Sequence, residues 1–142
     1  MKTYQFIKND IGEVVNVDKI TAVTFDESRA PYEMRVYTPA TRFGVAFHYD
    51  TIAKLWLARK NLDKIMTVTR LRIIKFANWW IAADNVESIS DCASGLRIRM
   101  DDGQNFDIMI RDREEIEAMK KEIEKSLIEM YSLKDLDVDD EE

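Results

Sequence analysis

The sequence predicts an α+β fold: a ββββα unit taken twice, forming one pseudo-twofold domain of two antiparallel sheets and two helices. Three observations carry that expectation. Val14-Val15-Asn16-Val17-Asp18-Lys19-Ile20 returns as Trp80-Ile81-Ala82-Ala83-Asp84-Asn85-Val86. Met34-Arg35-Val36 returns as Leu96-Arg97-Ile98, and Phe43, Val45 and Phe47 return as Phe106, Ile108 and Ile110. Each copy then runs into helical periodicity, from near Asp50 and from near Asp112. The predicted domain covers residues 1–133, with repeats of about 1–64 and 65–133, and residues 134–142 are expected to be a disordered acidic tail.

The elements follow in order. Tyr4 to Lys8 reads as a short strand, and Asn9-Asp10-Ile11-Gly12 as the turn after it. Val14–Val17 and Ile20–Phe25 are rich in β-branched residues and predict one long or bent strand. Glu33–Thr38 alternates, with Met34 and Val36 on one face and Arg35 and Tyr37 on the other. Arg42–His48 alternates again and places Phe43, Val45 and Phe47 on the core face. Asp50 is the expected N-cap of a helix through Ile52, Leu55, Trp56, Arg59 and Leu62, because its carboxylate can accept from unpaired N–H groups of the first turn.

The second copy repeats the pattern from about Met66. Val68–Phe76 reads as a long strand, Asn78 as a turn, and Trp79–Ala83 and Val86–Ser90 as the next pair. Leu96, Ile98 and Met100 point inward while Arg97 and Arg99 point out. Asp101-Asp102-Gly103 is a hairpin turn, since Asp-Gly readily supplies positive φ. Asp112 and Glu115 have capping-box spacing for a last helix with Ile116, Met119, Ile123, Leu127 and Met130 on its apolar stripe.

Composition bounds the class. With 142 residues, 46% of them apolar, the chain can bury a single core without staples. One cysteine, Cys92, excludes an internal disulfide framework and suits a reducing compartment. Met1–Asp10 lacks the apolar run of a signal peptide, and no apolar stretch is long enough to span a membrane, so a cytoplasmic protein with no membrane partner is expected. The net charge of −6 is unevenly spread. Residues 54–75 carry Lys54, Arg59, Lys60, Lys64, Arg70, Arg72 and Lys75 against Asp63 alone. The tail carries Asp135, Asp137, Asp139, Asp140, Glu141 and Glu142 against Lys134 alone.

Catalytic chemistry finds little purchase. His48, the only histidine, lies beside Tyr49 and Asp50 with no nucleophile signature near it. Asp101 and Asp102 are explained by their turn, and Gly12, Gly44, Gly95 and Gly103 are too scattered for a phosphate loop. No enzyme activity, cofactor or metal is expected. The outward strand faces are richer. Arg35, Tyr37, Arg70, Arg72, Lys75, Arg97 and Arg99 are candidate cations and a stacker, and Trp79 or Trp80 is a candidate platform. Cations that hold phosphates beside rings that stack bases are the requirements of single-stranded nucleic-acid binding.

Four strands and a helix, taken twice over roughly Tyr4 to Met130, resemble the Whirly and PUR-repeat proteins. That resemblance implies paired β4-α units and binding of single-stranded DNA or RNA. The ending Asp135–Glu142 is similar to the acidic tails of single-stranded DNA-binding proteins, including phage ones, but lacks a terminal aromatic residue. The expected function is therefore non-enzymatic binding of single-stranded nucleic acid, with a regulatory acidic tail that competes for a basic groove or recruits a protein partner. The competing expectation is an acidic protein–protein interaction module, an adaptor or inhibitor of phage origin. A second copy of the chain is a further partner that the sequence leaves open.

Overall fold

The computed structural model describes residues 5–68, 73–76, 78–110 and 112–126. β1 (Phe6–Lys8) and β2 (Val14–Asn16) form a two-stranded antiparallel ribbon. Asn9 closes it: its Oδ1 accepts from Glu13 N at 2.8 Å, while its Nδ2 donates to Ala46 O at 2.9 Å. A buried amide satisfied in this way fixes the ribbon to the rest of the fold. The chain then turns sharply at Val17–Lys19, a single 3-10 turn whose Asn16 side chain accepts from Asp18 N at 3.0 Å. The strand expected to run on through Phe25 is therefore two strands in two different sheets.

The remaining elements are β3 (Ala22–Asp26), β4 (Tyr32–Tyr37), β5 (Val45–Tyr49), α1 (Ile52–Val68), β6 (Ile73–Phe76), β7 (Trp79–Ala82), a 3-10 turn Ala83–Asn85, β8 (Val86–Cys92), β9 (Gly95–Met100), β10 (Asn105–Met109) and α2 (Arg113–Ser126). The fold is α+β with three sheets and two helices. Beside the ribbon there is a five-stranded sheet, β5-β4-β3-β7-β6, and a three-stranded sheet, β10-β9-β8. The expected two sheets, one per half, are corrected here. β3 pairs with β7 through Ala22–Ile81, Val23–Trp80 and Thr24–Trp79, so the largest sheet takes strands from both halves. An edge left open by one half is closed by the other, which removes two unpaired rows of backbone groups.

Side-chain alternation across that sheet builds two cores. Val23, Phe25, Met34, Val36, Val45, Phe47 and Trp80 face α1, where Leu55, Leu62 and Met66 meet them. Ala22, Ile74 and Ile81 face the other way, onto Leu96, Ile98, Met100, Phe106 and Ile108 of the small sheet and Ile116 of α2. Three local expectations change. α1 is capped by Thr51, whose Oγ1 accepts from Lys54 N at 3.2 Å, whereas Asp50 forms an ion pair with Lys54 at 2.9 Å. The helix continues to Val68, the residue expected to open a strand. Phe43 lies outside β5 and is 79% exposed, because Gly44 at φ 78° turns the chain before the strand begins. α2 starts as expected, with Asp112 Oδ1 accepting from Glu114 N at 3.0 Å. No helix among the described residues is long and apolar enough to cross a membrane.

Gly95 is where the small sheet is least tolerant. At φ 147°, a Cβ there would collide with Ile108 O and lie 2.6 Å from Ile110 N. Both are backbone atoms that cannot move without opening β10. Gly95→Ala is expected to destabilise the fold by about 3 kcal/mol, read as a lower urea midpoint at unchanged slope.

Candidate nucleic-acid interface

The face of the five-stranded sheet turned away from α1 holds the groove. Register places Tyr37, Ala22, Ile81 and Ile74 in one cross-strand row and Arg35, Thr24 and Trp79 in the next. β10 of the small sheet meets this face. Phe106 sits edge-on to Tyr37, with ring centres 5.0 Å apart, and edge-on to Trp79, with centres 5.4 Å apart. Edge-to-face packing satisfies the ring quadrupoles; Phe106 is buried, while Tyr37 and Trp79 are only partly so. Beside these rings runs an open groove of about 930 Å³, with Arg35, Arg42, Phe43, Asp102 and Asp107 completing its walls.

The mouth is tied across the two halves. Gln104 Nε2 donates to Thr38 O at 3.0 Å, while its Oε1 is buried with no partner among the described residues. Thr41 Oγ1 accepts from Thr38 N at 2.8 Å, which holds the loop that carries Arg42 and Phe43. Gly44 is required there by space as well as by φ: a Cβ would lie 2.6 Å from Arg35 Cγ and 3.0 Å from Tyr37 Cε1. The aliphatic stem of Arg35 therefore lies on bare backbone.

The charges in the groove are largely paired. Arg35 Nε and Nη2 each donate to Glu33 carboxylate oxygens at 2.9 Å, and Nη1 donates to Phe43 O at 2.8 Å. The Glu33 hydrogen bonds hold the guanidinium above its ordinary range. Burial pushes the Tyr37 phenol up, against an opposing effect of Arg35. Arg97 makes a fork to Asp107 at 2.7 and 2.9 Å, and those hydrogen bonds hold the carboxyl of Asp107 below its usual range. Arg42 differs. Its guanidinium lies 5.8 Å from the centre of the Phe43 ring, with no ion-pair partner among the described residues.

The structure gathers some of the sequence-predicted residues and disperses others. Arg35, Tyr37 and Trp79 line the groove together. Arg97 stands behind the rim through Asp107, and Arg99, 3.9 Å from Glu87, follows it on the outer face of the small sheet. Lys75 is on the opposite face of the large sheet, bonded to Asp63 at 2.6 Å and 4.9 Å from the centre of the Trp80 ring. Trp80 is not a surface platform. It is 3% exposed, packed edge-on to Phe25 and beneath the guanidinium of Arg59. Arg70 and Arg72, like the acidic tail, lie outside the described residues. His48 is half-exposed, with Nε2 3.2 Å from Glu33 Oε1.

Sequence reasoning missed Arg42, Phe43 and Phe106 as groove residues. For Phe43 the signal was present, since Gly44 interrupts the apolar alternation immediately after it. For Phe106 there was none: its own strand alternates faultlessly, and only the tertiary approach of β10 sets its buried ring against Tyr37 and Trp79.

No known family model matches the chain, and no curated protein matches its sequence. Among solved structures it is similar to the LytTr DNA-binding domain of a Bacillus cereus protein described as a methyl-accepting/DNA response regulator. The identity is 11%, the TM-score 0.47, and the match covers 87% of this chain and 97% of that one. So slight a likeness says nothing about what this chain binds. The resemblance to Whirly and PUR-repeat proteins is corrected. The solved structure it resembles is of a different kind, and the strands divide into sheets of two, five and three instead of two four-stranded sheets.

The Arg97–Asp107 fork has a measurable signature. A carboxyl held low contributes stability above its unfolded pKa of about 3.9, and that contribution is lost as pH falls through the lower folded value. Arg97→Ala is expected to move the Asp107 titration midpoint upward, followed by NMR of the side-chain carboxyl.

Proposed function

We propose that this protein is a non-enzymatic nucleic-acid-binding protein that takes single-stranded DNA or RNA in the groove between its two halves. The observation that carries this reading is one open groove holding the rings of Tyr37, Phe43, Trp79 and Phe106 beside the guanidinium groups of Arg35 and Arg42. Unpaired bases present π-faces that such rings can stack against, whereas a duplex hides its base faces within its own stack. Arg42, with no carboxylate partner among the described residues, is the cation best placed for a phosphate. Arg35, clamped by Glu33, acts more as a fixed wall. Recognition led by stacking fits a groove whose net charge is small.

Several finer points belong to the same proposal. Each half runs through two strands, a 3-10 turn, three strands and a helix in the same order, which supports descent from one repeated unit within a single domain. The acidic tail, residues 134–142, tunes affinity by repelling phosphates, so its removal strengthens binding.

A second reading, a protein-interaction module, has one observation in its favour. A groove of about 510 Å³ is lined by Phe6, Val14, Pro39 and Ala40, and Phe6 and Val14 are each more than half exposed. The two readings separate by fluorescence anisotropy with a labelled oligothymidine. Phe43→Ala is expected to weaken binding about 5- to 150-fold, corresponding to about 1–3 kcal/mol for one stacked base. Arg42→Ala is expected to flatten the salt dependence, log affinity against log salt, by about 0.7. Absence of binding to single strands and duplexes alike, with and without residues 134–142, would overturn the nucleic-acid reading.

A further inference from the structure

The solvent face of α1 is unusual for a helix that already buries Leu55, Leu62 and Met66 on its other side. Trp56 is 55% exposed and Leu57 58% exposed. Lys60 and Lys64 follow at helical spacing, so the four side chains share one outward face. Lys54 is matched by Asp50, but neither Lys60 nor Lys64 has an ion-pair partner among the described residues. Large apolar side chains left in water beside unmatched cations form a surface that calls for an acidic, partly apolar occupant.

The chain carries such a segment at its own end. From Leu133 the sequence runs Leu-Lys-Asp-Leu-Asp-Val-Asp-Asp-Glu-Glu, in which Leu133, Leu136 and Val138 are interleaved with carboxylates. We propose that this terminal segment, residues 133–142, docks on the α1 face of the same chain, with Leu136 and Val138 against Trp56 and Leu57 and the aspartates against Lys60 and Lys64. The ten residues of chain from Ser126 to Leu136 span up to about 33 Å when extended.

Charge selects this face over the nucleic-acid groove. In the groove Arg35 is already clamped by Glu33 and Asp102 and Asp107 line the walls, so the tail, which has no aromatic ring to stack there, would gain little from its carboxylates. On α1, Lys60 and Lys64 have no ion-pair partner among the described residues, and Trp56 and Leu57 are exposed. The two surfaces then have separate tasks, and the tail has a resting place that does not block the groove. This inference does not depend on what the groove binds, since its test contains no nucleic acid.

The test is zero-length carbodiimide cross-linking of the full chain, which joins only carboxylates and lysine amines already in contact. Bridges from residues 135–142 to Lys60 or Lys64 are expected within the monomer band. They should fade at about 0.5 M salt, where charges are screened beyond a few ångströms. The surface variant Trp56→Ala/Leu57→Ala should reduce them several-fold. As a second readout, Lys60→Glu/Lys64→Glu should speed carboxypeptidase Y trimming of the tail several-fold. Bridges to lysines elsewhere, bridges found only between two copies, or no bridges with unchanged trimming would each overturn the proposal.

Discussion

The pairing of β3 with β7 is the contact on which everything else in this molecule depends. Only three residue pairs make it, Ala22–Ile81, Val23–Trp80 and Thr24–Trp79, yet they join two runs of sequence into one sheet. Each pair also sorts its side chains. Val23 and Trp80 go under α1, while Ala22 and Ile81 go under the small sheet. Because register in a sheet has a period of two, a slip of one residue would exchange these faces and expose Trp80 while burying Trp79. The adjacent tryptophans thus make the register costly to violate, and Arg59 and Lys75 over Trp80 reinforce the choice.

The groove is a by-product of that joint. Arg35 and Tyr37 come from the strand next to β3, Trp79 from β7, and Phe106 from the sheet that lies over them. Of its arginines, Arg35 is spoken for by a carboxylate two positions away, and the wall carboxylate Asp107 is taken by Arg97 across a strand pair. A site of this kind does not attract a polyanion from a distance. Under the proposed function it would hold one that has arrived, through ring surface, with its cations orienting the ligand. On α1, by contrast, Lys60 and Lys64 have no ion-pair partner among the described residues, and both lie in the basic run 54–75 that stands out in the sequence.

Much of the local structure was legible in the sequence, for a physical reason. Alternation set the inward positions of Met34, Val36, Leu96, Ile98, Phe106 and Ile108, all of them buried, because a half-buried strand leaves no other periodicity. The Asp-Gly turn at Asp102-Gly103 was legible because few residue pairs tolerate its backbone. What could not be read was which strand edges would meet. Backbone edges carry no side-chain signature, so the exchange of β3 and β7 between halves was invisible, and the two-sheet expectation failed on it. Arg35, Tyr37 and Trp79, legible as outward polar and aromatic strand positions, line the groove. Lys75 was misplaced because it occupies the other face of an edge strand, and Phe43 because one glycine shortened β5.

The bond from Gln104 to Thr38, sixty-six positions apart in sequence, has a consequence for the life of the chain before it is complete. The groove wall needs Phe106 and Asp107, which leave the ribosome long after Arg35 and Tyr37. A nascent or truncated chain that stops short of β10 can display the first half's arginine and tyrosine, but has no facing wall and no tied mouth. Under the proposed function, ligand capture would be withheld until the body has closed, and occupancy of the groove would report a finished fold.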